Sequence, residues 1–86
     1  MTKTQQQLII KEMKQTIGYM RDAEQNADSF YSALAIRNNM HQYFTGLAYA
    51  LSAITGNDYI WSTHDNNWSL VVSKSGNEIQ IMEVTQ

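Results

Sequence analysis

The apolar residues of this 86-residue chain change their period once, near Gly56. Before that point they recur every three or four residues, and after it they alternate. The first pattern is that of a helix burying one face, the second that of a half-buried strand. A single switch in so short a chain predicts one domain, residues 1–86, with helices first and strands after.

Thr4 with Gln7 has the form of a capping box, a hydroxyl residue followed three later by Gln. Ile9 or Ile10, Met13, Ile17 and Met20 then follow at helical steps, leaving Lys11, Lys14, Gln15 and Asp22 toward water. Gly18 costs about 1 kcal/mol against alanine inside a helix and so points to close packing. This helix is expected over about 4–25. Asp28 is the expected N-cap of a second helix over about 28–55. Its stripe is Ala33, Ile36, Met40, Tyr43, Phe44, Leu47, Leu51 and Ile54. The stripe stays in phase across Asn38-Asn39, which favours one long helix over two. Gly56-Asn57 supplies its left-handed stop. Between Phe44 and Ile54 the helix is apolar on more than one side, so it needs two covers. The first helix is one. The strands or a second copy of the chain are the other, with Gly46, Ala50 and Ala53 permitting close approach.

Three strands are expected beyond Gly56, over about 59–64, 68–74 and 78–84. Asp65-Asn66-Asn67 and Ser75-Gly76-Asn77 are turn material. Trp68, Leu70 and Val72 share one face of the central strand; in the last, Ile79 and Ile81 oppose Gln80 and Met82. Short turns make this an antiparallel meander, and the fold class α+β, in the order ααβββ.

Charged residues are only 16% of the chain, and the net charge is −2. Amides replace them on the surface, which eases association and favours a homo-oligomer or a bound partner. Residues 1–45 hold five basic and four acidic groups, and residues 46–86 hold one and four. There is no basic stripe of the kind that grips nucleic acid, and far too little acid to imitate DNA. The first twenty residues hold neither a signal-peptide core nor a membrane span. The apolar run from Gly46 to Ile54 is about half the length a spanning helix requires. With no cysteine in the chain, these features predict a soluble, cytoplasmic protein.

Chemical motifs are scarce. Ser62, Thr63, His64 and Asp65 contain the residue types of a nucleophile set. Neighbours on a strand point to opposite faces, however, and no glycine-rich turn lies near to make an oxyanion hole. His41 and His64 lack ligand spacing, and the four glycines are isolated, so neither a metal nor a phosphate cradle is expected. The expectation is a protein that is not an enzyme and carries no cofactor.

The aromatic hairpin is the best candidate for recognition. Tyr59, Trp61 and Trp68 flank His64, Asp65, Asn66 and Asn67. Tryptophan and tyrosine anchor interfaces through large rigid area with a polar handle, and asparagine-rich turns add hydrogen bonding. The competing reading is that both tryptophans fill the space between sheet and helix. Stacking on single-stranded nucleic acid needs a positive groove, and Lys74 is the only basic residue of the strand region. The alternative of a small nucleic-acid-binding accessory protein is therefore the weaker one.

In size, low charge, amide richness and lack of catalytic groups, the chain resembles small proteins of phages and other mobile elements, including inhibitors of bacterial defence systems. The resemblance is one of composition and implies no site residues. The expected function is a non-catalytic interaction protein that binds a protein partner through the strand–turn surface.

Overall fold

The computed structural model describes residues 2–26 and 30–84. Two helices, α1 (Lys3–Asn26) and α2 (Phe30–Thr55), precede three strands, β1 (Asp58–His64), β2 (Asn67–Lys74) and β3 (Asn77–Glu83). The sheet is antiparallel in the order β1-β2-β3, so the expected ααβββ arrangement is observed. The cap expected at Asp28 lies outside the described residues.

The N-cap of α1 is Thr2, two residues before the expected Thr4. Gln5 donates its backbone N–H to Thr2 Oγ1 at 3.1 Å, and its side-chain Oε1 accepts the Thr2 N–H at 2.9 Å. Both threonines are followed three residues later by Gln, and the earlier pair closes the box because the helix extends half a turn further. Met13, Ile17 and Met20 are sealed in the core on the stripe read from sequence. Thr16 is buried among them, and its hydroxyl donates to the Glu12 carbonyl at 2.8 Å, which satisfies a group that would otherwise be costly to bury.

α2 runs unbroken through Asn38-Asn39. It buries Phe44, Ala48 and Leu51 and half-buries Met40 and Leu47. Ile36, Tyr43 and Ile54 were expected on this stripe, but the structure leaves them exposed. The reason is geometric. At roughly 100° per residue the three fall within about 20° of one line, on the flank about 60–80° away from the buried Leu51 and Phe44. Gly56 ends α2 with φ +79° and donates its N–H to Ser52 at 2.9 Å. Thr55 ties this end to the sheet. Its hydroxyl donates to the Leu51 carbonyl at 3.0 Å and so accepts from the Tyr59 hydroxyl at 3.1 Å.

Both hairpins use two-residue turns, Asp65-Asn66 and Ser75-Gly76, in which every residue has positive φ. Such turns match the twist of the strands they join. Asn67, expected in the turn, opens β2 opposite His64. Tyr59, Trp68, Leu70 and Val72 complete the core under the helices. α2 packs on β1 and α1 on β2, whereas neither packs closely over β3. Among the described residues no helix is long and apolar enough to cross a membrane.

Candidate protein-interaction surface

The sheet decides which residues a partner could reach. Strand alternation turns Tyr59, Trp61, Trp68, Leu70 and Val72 toward the helices. The aromatics of the hairpin therefore face inward. Tyr59 is 7% and Trp68 4% exposed. These two of the expected partner-binding residues are core, because the inward face of β1 lies under α2 and that of β2 under α1. Trp61 is half-buried at the margin. It stacks on Trp68 with ring centres 5.5 Å apart and planes at 15°. Its indole N–H donates to His41 Nδ1 at 3.0 Å, which fixes the proton of a neutral His41 ring on Nε2. The Arg37 guanidinium lies over the indole at 5.1 Å and reaches Glu24 at 3.8 Å. A shallow cavity of about 510 Å³, lined by His41, Phe44, Thr45, Ala48 and Ile60 among others, opens beside Trp61.

His64, Asp65, Asn66 and Asn67 are exposed at the β1–β2 turn, as expected. His64 Nε2 lies 3.3 Å from Asp65 Oδ2, with both side chains more than four-fifths exposed. A contact so open to water contributes little.

A further feature of the strand region lies on the outer face of the sheet. The cross-strand register aligns Ile60, Val71 and Ile81 in a row across all three strands. They lie on the face turned away from the helices. Ile60 is 54% and Ile81 56% exposed, and Val71 between them is covered by its neighbours. A β-bulge at Val72/Ser73 leaves Ile79 without a partner, and it is equally exposed. The alternation of β3 thus places Met82 inward and the isoleucines outward. The signal was present in β1 and β2: once Trp68, Leu70 and Val72 are inward, Ile60 and Val71 must point out. The bulge in β3 had no such signal.

Polar residues border this row. Ser62 and His64 on β1, Ser69 and Ser73 on β2, and Asp58 and Glu83 at the strand ends share its parity. No lysine or arginine does. The surface can therefore offer apolar area with an acidic rim. No family model matches the chain, and no curated protein and no solved structure matches it either.

Proposed function

We propose that this chain is a small non-catalytic interaction protein that binds a protein partner through the outer face of its sheet and the adjoining β1–β2 turn. The observation that carries the reading is the Ile60–Val71–Ile81 row, with two isoleucines more than half exposed on a face no element of the described chain covers. A contiguous apolar patch with a polar rim is the usual form of a contact surface. Its carboxylates favour a protein partner with basic residues at its edge. They disfavour nucleic acid, whose phosphates they would repel.

The flank of α2 supports a second contact. Ile36, Tyr43 and Ile54 are exposed there, and nothing lies within 4 Å of where a side chain at Gly46 would sit. This face suits a second copy of the chain, in line with the low charge.

The test is affinity capture from the native host with the wild type and with Ile60→Asp and Ile81→Asp, circular dichroism controlling for folding. A protein recovered with the wild type and lost with both folded variants supports the reading. Equal recovery with all three overturns it.

A further inference from the structure

β3 extends beyond the cover of α1, and the space beneath the flank of that helix is a groove of about 410 Å³. Ile10, Met82 and Val84 give it an apolar floor, while Lys11, Lys14 and Arg21 stand around it. Arg21 is already committed. Its Nη1 donates to the Val84 carbonyl at 2.8 Å and its Nε to Asp22 Oδ1 at 3.2 Å, with the side chain only 12% exposed. Lys11 and Lys14 have no ion pair among the described residues. They follow one another on the same side of α1 at i, i+3.

The same groove runs along an open sheet edge. Val84 donates its N–H to the Trp68 carbonyl at 2.8 Å. Antiparallel alternation then turns the main-chain groups of Met82 toward β2 and those of Ile81 and Glu83 outward. Outward N–H and C=O groups template another strand.

We propose that the groove takes an extended segment of a partner protein, which adds a fourth strand to β3 and places acidic side chains under Lys11 and Lys14. Main-chain bonds to Ile81 and Glu83 supply affinity, and the two-residue period of the added strand directs alternate side chains beneath α1. The methylenes of a Glu side chain would lie on Ile10 and Met82 while its carboxylate meets the lysines. A nucleic-acid strand could meet the lysines too, but it has no groups to continue the ladder. This contact uses the edge of the sheet and the flank of α1, so it stands or falls separately from the outer-face surface.

The test is fluorescence polarisation on the full chain with a short labelled peptide alternating Glu and Val. The comparison ligands are its Lys–Val counterpart, the Glu–Val peptide N-methylated at alternate residues, and an oligothymidylate. The Glu–Val peptide is expected to bind and the other three to fail. Lys11→Glu with Lys14→Glu should weaken binding by at least about tenfold, and Lys11→Arg with Lys14→Arg should retain it. Both pairs lie on an open helix flank, and circular dichroism should show an unchanged fold. Absence of Glu–Val binding overturns the proposal, as does equal binding of the Lys–Val or N-methylated peptide. Preference for the oligothymidylate, or unchanged affinity in the Glu variant, also overturns it. So does a dimer paired through β3 that the peptide fails to displace.

Discussion

Trp61 is fastened to His41: the indole N–H donates to imidazole Nδ1 at 3.0 Å, and the rings meet edge to face with centres 6.0 Å apart. The pair joins β1 to the middle of α2 at the margin of the core. Trp68, stacked behind Trp61, is closed off from water. Two tryptophans seven residues apart thus have different surroundings, and their substitution should have different consequences.

Trp68→Ala should cost about 3–5 kcal/mol, enough to unfold a marginal domain. Trp61→Ala loses the His41 hydrogen bond and ring contact, the stack on Trp68 and the Arg37 contact, about 2–3 kcal/mol in all, and should cost less than Trp68→Ala and stay folded. Urea denaturation followed by circular dichroism separates the two. Equal loss in both variants would contradict the burial difference.

Leu51 is fully buried where α2 meets the core. Leu51→Ala should lower the unfolding free energy by about 2–5 kcal/mol. A melting temperature within a few degrees of wild type would show that α2 does not sit at the centre of the domain.

Self-association through the flank of α2 predicts a dimer or larger species at micromolar concentration. Light scattering should then give at least twice the 9.9 kDa chain mass. Ile54→Asp, which places a charge on that flank, should return the mass to one chain. A single-chain mass for the wild type at high concentration rules this contact out.

The Tyr43 hydroxyl donates to Glu12 Oε1 at 3.0 Å, bridging the two helices. That hydrogen bond is the main cause holding the phenol above its ordinary value of 10.0, and the charge of Glu12 acts in the same direction. A raised folded-state value means the interaction is fully present below the unfolded tyrosine range and is lost as pH rises through the folded value. Ultraviolet titration of wild type minus Tyr43→Phe should show a late-ionising tyrosine. Glu12→Ala, which removes both the acceptor and the charge, should bring it down. An unchanged midpoint in Glu12→Ala would refute the bridge.

Gly76 has φ +82° in the β2–β3 turn with no neighbour within 4 Å of an added Cβ. Gly76→Ala therefore meets no clash, only the left-handed backbone penalty of about 1–2 kcal/mol. Thermal unfolding should show a loss of that size. Stability equal to wild type would mean the turn relaxes to another type.

The architecture was legible because each element carries its own local signal. The stripe from Met13 to Met20 names the buried face of α1, and Gly56 marks where φ must become positive. Asp65-Asn66 and Ser75-Gly76 set the hairpins. What escaped was whatever depends on comparing elements. Thr2 and Thr4 have the same pattern, so the sequence alone could not choose the cap. Tyr59 and Trp68 looked like anchors because their types suit interfaces, yet burial follows from which face of β1 lies under α2 and which face of β2 under α1. Arg37 has no local reason to lie at the margin of the sheet; the Trp61 ring and Glu24, each on another element, supply one. The exposed isoleucines of β3 required knowledge of the bulge, a property of two strands together.

The order of the elements also has a consequence for synthesis. The helical pair is made before any strand, yet the core that Met13, Ile17 and Leu51 enter is completed only by Tyr59 of β1 and by Trp68, Leu70 and Val72 of β2. A nascent chain that has completed α2 therefore carries a greasy, half-built layer still open on the side the sheet will cover. The core closes only once β1 and β2 have emerged, and until then the helices are candidates for chaperone capture.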